Sequence, residues 1–361
     1  MNYPNLYDAK SIYKGNIPEH DGIGTLSDAE SCIVTMASNN TFVLDLTYPV
    51  NGKYADSLVE ESLLRVNLDR LNHGKKYRQF FRITERNGQM TAKDEVIKIH
   101  AEHLSYDLKW KWCKPVNLET KNIAACVEHL RTEGLETDPF EYLLKTVPVP
   151  DDFKKFWHKE LFTKREGALE IAELFGLYII PDNLSIQFIL GGTDTGLILK
   201  KGKNLIDLSV LEESDQRING VYVYYQDDKE TTLPILVAPY KGEYGVPHYT
   251  AFNYAGSHPE GEFEEPADDS IVKLIGEAYL RNNTQARTGL SYSAKIADTG
   301  QNISLYDIVE VIHSGFKVDQ KMEVQQIAYD VLRQRYNEIV VGDYKIPISQ
   351  LIANLQIKAK G

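Results

Sequence analysis

His100-Ala101-Glu102-His103 places two histidines three residues apart with a carboxylate between them. On a helix this spacing could hold a metal ion. The preceding Val96-Ile97-Lys98-Ile99 is β-branched and partly alternating, which favours a strand, where the two rings point to opposite faces. Trp157-His158-Lys159-Glu160 has no second histidine four residues after the first, so it is not a zincin helix. Ser11-Ile12-Tyr13-Lys14 has the spacing of a Ser-x-x-Lys nucleophile pair but not its partner motifs. No Gly-x-Ser-x-Gly elbow occurs. Gly191-Gly192-Thr193-Asp194-Thr195-Gly196 follows a β-like run but lacks the Gly-Lys-Ser/Thr of a phosphate loop. The β-like Leu197–Lys201 after it offers no helix N-terminus, so a hairpin turn is the expectation. The acidic run 260–269, EGEFEEPADD, lacks the alternating ligands and central glycine of a calcium loop and reads as a solvated connector. No residue is therefore assigned as catalytic, cofactor-binding or metal-ligating, and no cofactor is expected.

The bulk of the chain agrees. It has 361 residues, 42% hydrophobic and 25% charged, which suits two to four globular domains. A net charge of −12 argues against a groove that grips nucleic-acid phosphates. Cys32, Cys113 and Cys126 form neither a disulfide framework nor a zinc set, and buried inert thiols in a reducing compartment are expected. No apolar run reaches the length of a membrane span, and the N-terminus has no signal-peptide pattern. Tyrosine is abundant, at 22 residues, and suits half-buried β-surfaces and subunit contacts.

The elements that would position these residues are mostly β. In residues 1–105, short apolar runs are separated by turn signals at Asn39-Asn40, Asn51-Gly52, His73-Gly74 and Asn87-Gly88. Residues 106–190 read as α-rich. A periodic stretch over 118–133 is followed by a short helix started by Asp138-Pro139. Thr163-Lys164-Arg165-Glu166 then opens a third helix as a capping box. Residues 191–345 return to β, with one helix over 270–280 capped by Ser270, and 346–361 reads as a tail or linker. Leu305 to Asp343 predicts three strands, with turns at Ser314-Gly315 and Gly342-Asp343.

Two stretches carry a resemblance. Phe42–Val50, then the strand Gln79-Phe80-Phe81-Arg82-Ile83 and the exit Ala101-Glu102-His103-Leu104-Ser105-Tyr106-Asp107-Leu108, stand in one order. The meander from Leu305 to Asp343, with Asp307, His313 and a Tyr-containing last strand, stands at the other end. Together they resemble the hub module of phage tail-tip proteins, the prophage tail-endopeptidase or tail-associated-lysin family, similar to contractile-tail baseplate hubs. Tyr306 departs from the pattern, which has a small residue, usually glycine, before the aspartate.

The resemblance implies an α+β, multidomain fold: two small β-barrel-like hub domains with an α-rich inserted domain. The barrels over 1–100 and roughly 200–343 would be structural echoes without sequence identity. It implies a non-enzymatic virion protein of a tail tip or baseplate, assembled in the bacterial host cytoplasm. Such a protein forms a homotrimeric hub that joins the hexameric distal tail to a three-fold tip. Its partners would be the distal tail protein ring, the tape-measure protein, and receptor-binding or tail-fibre proteins, with DNA passing through but not specifically bound. The hydrolase extension of longer relatives is not evident in these residues. Two alternatives stay open: a cell-wall hydrolase using His129, His158 and Glu160, and a carbohydrate-binding tail module using Trp110, Trp112 and Tyr249. Basic residues are expected away from the channel, at Lys154, Lys155, Lys159, Lys164 and Arg165.

Overall fold

The computed structural model describes residues 2–12, 16–38, 40–90, 95–120, 122–145, 155–175, 177–212, 218–226, 231–239, 246–254, 268–282, 290–296 and 300–343. The acidic run before Asp268, the Ser-x-x-Lys residues Tyr13 and Lys14, Lys154 and the tail 346–361 lie outside them.

The chain is mostly β, within the α+β class. Strict alternation makes its principal strands: in Thr41–Pro49, Phe42, Leu44, Leu46 and Tyr48 point inward and their neighbours outward. Its partner Ser31–Ala37 alternates in the same way and pairs Ala37 with Thr41 through Ser31 with Thr47. Asn40, at φ 64°, supplies the left-handed backbone of the turn between them.

These two strands belong to a 13-stranded sheet. One half carries Thr41–Pro49, Glu95–His103, Arg78–Met90, Leu63–Asn67, Asn5–Tyr7 and Gly24–Thr25 in that order. The other half carries Val318–Asp330, Arg335–Asp343, Leu290–Ile296 and Leu205–Glu212. Ile308–His313 and Asp194–Lys200 branch from Val318–Asp330. The halves join where Gln326–Asp330 pairs antiparallel with Ile33–Ala37. Two separate barrels are not what the described residues build. Among them no sheet closes on itself, and the two β regions share one sheet and one apolar core running from Leu6 to Val341. A 13-residue strand is long enough to bridge them: Val318–Asp330 pairs with Ile308–His313 at its start and with Ser31–Ala37 at its end.

The middle region differs from an α-rich expectation by its strand content. Helix α1 (Ile123–Thr132), capped by the Asn122 side chain, and helix α2 (Lys164–Leu174) pack on short strands around their own core of Phe162, Phe188, Leu130 and Ile171. The α2 capping box forms as expected, Thr163 Oγ1 accepting from Glu166 N and the Glu166 carboxylate accepting from Thr163 N. The periodic stretch begins later than expected, because Val116–Thr120 is a strand paired with Lys155–Lys159. Asp138-Pro139 starts no helix. Asp138 Oδ1 accepts from Phe140 N at 2.9 Å, and the chain then extends as Glu141–Leu144, parallel to Ser185–Ile189.

A smaller unit in the C-terminal region packs helix α3 (Asp269–Asn282) on the strands Gly220–Tyr224, Ile235–Val237 and Tyr249–Asn253. Gly276 lets helix and sheet touch, since a Cβ there would lie 2.6 Å from Val237. The side chain at its start is Asp268, which accepts from Ser270 N at 2.8 Å, rather than Ser270 itself.

Candidate functional site

The two N-terminal motifs lie face to face. Phe81 pairs with His103, Arg82 with Glu102 and Ile83 with Ala101. Arg82 holds Asp107 through two parallel bonds, Nε to Oδ1 at 3.0 Å and Nη2 to Oδ2 at 2.7 Å. His103 is fully buried, stacked on Phe42 at 4.3 Å. Its Nδ1 accepts from Ser105 N at 3.1 Å, so its Nε2 carries the proton and donates to Gln79 Oε1, 3.0 Å away. Burial, with Arg165 adding to it, pushes the His103 pKa down to about 3, and the ring stays neutral. His100 faces the other side of the strand and meets Asp45 at 2.8 Å. The two histidines therefore diverge, as strand geometry requires. Among the described residues no three His, Cys, Asp or Glu side chains stand close enough to hold a metal ion.

The same motif clips the middle region to the sheet. Gln79 Nε2 donates to Asp182 Oδ1 at 2.8 Å, and its Oε1 accepts from Asn183 N at 2.9 Å. Asn183, left-handed at φ 50°, returns its own side chain to Phe80 N and Arg78 O. Tyr77 adds a bond from its hydroxyl to Pro181 O at 2.5 Å.

A second junction joins all three regions. Tyr178, from the middle region, stacks on Tyr306 with centroids 4.1 Å apart and donates to Glu323 Oε2 at 2.9 Å. Tyr306 has φ 69°, a conformation that costs an L-residue energy and explains why glycine suits this place. Gly192 lies against the same turn, where a Cβ would fall 1.8 Å from Tyr306 O. Asp307 is buried and accepts from Ser304 N at 2.8 Å and Thr193 N at 3.3 Å. His73 Nε2, on the N-terminal region, stands 3.4 Å from Asp307 Oδ1. Burial raises the Asp307 pKa, against those bonds and the His73 charge. Next to it Arg70 donates to Gln334 O at 2.7 Å and Gln301 O at 2.8 Å, and lies over the Tyr336 ring.

The remaining sequence candidates do not converge. Gly191–Gly196 is no hairpin turn, because the strand after it pairs in parallel with Ile308–His313 and carries the chain into the C-terminal region. Asn87-Gly88 is no turn either. Both lie inside Arg78–Met90, opposite Lys98 and Ile97. The three cysteines are buried and free, and burial pushes the Cys126 thiol up to about 12. His129 packs against Trp157, whereas His158 is exposed on the alternate face of that strand. The expected basic surface of the middle region is largely neutralised. Lys164 is buried against Asp138, Lys159 pairs with Glu170, and Arg165 lies 3.9 Å above the Tyr106 ring while donating to Asn40 O. Sequence reasoning missed Arg70, His73 and Tyr178. The one local sign was His73-Gly74, two successive left-handed residues.

No family model matches the chain, and no curated protein matches it by sequence. Solved structures do. The prophage tail protein gp18 from Listeria monocytogenes EGD-e superposes with a TM-score of 0.61 at 15% identity, over 99% of this chain and 100% of that one. The tail protein from Neisseria meningitidis MC58 gives 0.63 at 11% identity, over 97% and 99%. The 43 kDa tail protein of prophage MuSo2 from Shewanella oneidensis gives 0.61 at 13%, over 92% and 98%. The resemblance read from the motifs therefore holds in three dimensions: the chain has the fold of prophage tail proteins.

Proposed function

We propose that this chain is a structural hub of a phage tail tip or baseplate. Three copies ring the tail axis, join the hexameric distal tail to a three-fold tip, and leave a passage for DNA. The observation that carries this reading is the end-to-end fold match, which covers 99% of this chain and 100% of the Listeria protein and so is not a shared subdomain. The division into 1–105, 106–190 and 191–345 belongs to the same proposal. Each region would present its own face to the ring while the junctions hold the faces at fixed angles. Partners would be the distal tail ring, the tape-measure protein and receptor-binding proteins. A net charge of −12 suits a wall that repels DNA. We further propose that these residues hydrolyse no peptidoglycan.

Light scattering over a concentration series, alone and with the distal tail protein, tests the assembly. A trimer is expected, and a chain that stays monomeric on its partner ring overturns the reading. Zymography on purified cell wall tests the second claim. Clearing that disappears with one His or Cys substitution overturns it.

One observation favours a second reading, a carbohydrate-binding tail module. Trp110 is 70% exposed and Trp112 43%, so neither is spent on the core. Binding of host cell-wall glycan that is lost in Trp110→Ala would support it.

A further inference from the structure

A cleft of about 440 Å³ opens where three segments meet: the N-terminal loop at Ile17–Glu19, the strand Arg78–Met90, and the Asp182-Asn183 turn of the middle region. Its character is mixed. Ile17 and Pro18 form an apolar wall, with the buried Phe80 ring beneath. Three cations line it, Arg65, Lys76 and Arg78.

The three are not equivalent. Arg65 is occupied, donating to His20 O and Asp21 Oδ1, both at 3.0 Å, and packing on the Tyr7 ring. Lys76 and Arg78 are exposed, and neither side chain has an ion-pair or hydrogen-bond partner among the described residues. Glu19 and Asp182, the latter accepting from the Gln79 amide, are the acidic members of the lining.

We propose that this cleft docks an acidic polypeptide segment of a neighbouring protein. Carboxylate side chains of the segment meet Lys76 and Arg78, and an apolar side chain between them lies on Ile17 and Pro18. Charge complementarity favours a peptide over a nucleic acid. A phosphate backbone carries a charge at every step and would meet Glu19 and Asp182, whereas a peptide can space its carboxylates to reach Lys76 and Arg78 alone; two free cations also give little of the counterion release that nucleic-acid binding needs. An extended peptide turns successive side chains to opposite sides, so alternating acidic and apolar residues can meet the two cations and Ile17-Pro18 together. A docking cleft of this kind requires no ring, so it stands apart from the hub reading.

Calorimetry on the full chain tests it, with a blocked peptide alternating glutamate and leucine as probe. The comparison ligands are the same peptide with glutamine for glutamate, inorganic phosphate, and a short DNA duplex. The acidic peptide should bind, the glutamine peptide at least tenfold more weakly, and the Lys76→Glu/Arg78→Glu double variant at least tenfold more weakly again. Because both residues are exposed, the variant should melt like the parent. If it does not, Lys76→Ser/Arg78→Ser takes its place with the same expectation. The proposal is overturned by no binding of the acidic peptide at millimolar concentration, by binding unchanged in the variant, or by phosphate or duplex bound more tightly than the peptide.

Discussion

Tyr178 and Tyr306 stack with their planes 22° apart, and the second of the pair holds a left-handed backbone that its side chain disfavours. The ring contact compensates for the strain. It lets a bulky residue stand where glycine would be natural, and it uses that residue to fasten the middle region to the C-terminal one.

Tyr306→Ala should therefore be less stable than Tyr306→Gly, by about 1 kcal/mol, although alanine normally outranks glycine. Both variants lose the stack and only alanine keeps the strain. Urea unfolding of the two measures the difference, and the ordinary ranking would refute the account.

Arg70→Ala removes two charge-assisted bonds to the carbonyls of Gln334 and Gln301, and should cost about 1.5–3 kcal/mol. Arg70→Lys should restore only part of this, since one ammonium cannot reproduce the planar fork. Thermal melting of the three proteins distinguishes these outcomes.

His103 carries a pH dependence of definite sign. Its folded pKa is lowered from 6.5 to about 3, so as pH falls the unfolded chain takes up the proton first. Its contribution is complete above the unfolded value and is lost toward pH 3, at about 1.4 kcal/mol per pH unit. Between pH 6.5 and 5 the parent should lose about 1.6 kcal/mol more than His103→Gln. Asp307, whose pKa is raised, works in the opposite direction and is common to both proteins. Equal slopes of urea midpoint against pH would contradict the assignment.

Lys164 and Asp138 form an ion pair whose side chains are only 2% and 4% exposed. Lys164→Met alone should destabilise by about 3–5 kcal/mol, because it leaves a buried carboxylate without its counterion. Adding Asp138→Leu should recover most of that loss. A double variant no more stable than the single one would show that the pair acts through something other than mutual charge.

The N-terminal motifs and the C-terminal meander were legible because their signals are local and agree with one another. Inward alternation, a turn at Ser314-Gly315 and a capping box at Thr163 each act within a few residues. Asp138-Pro139 misled for a physical reason. The carboxylate that would cap a helix caps Phe140 N instead and serves as counterion to Lys164, while parallel pairing with Ser185–Ile189 holds the backbone extended. At Asn87-Gly88 the ladder with Glu95–His103 outweighed the turn preference. Arg70 and His73 were invisible because their partners, Gln301, Gln334 and Asp307, lie more than two hundred residues away in the chain.

The unbroken sheet through Ile33–Ala37 and Gln326–Asp330 has a mechanical consequence. Strands that share a ladder and a core do not swing about a hinge, so the two β regions of the chain move together as one body. If three such sheets surround an axis, a bore lined by them widens by rotation or separation of the sheets as units. Opening of that kind leaves the junction between Ile33–Ala37 and Gln326–Asp330 unchanged.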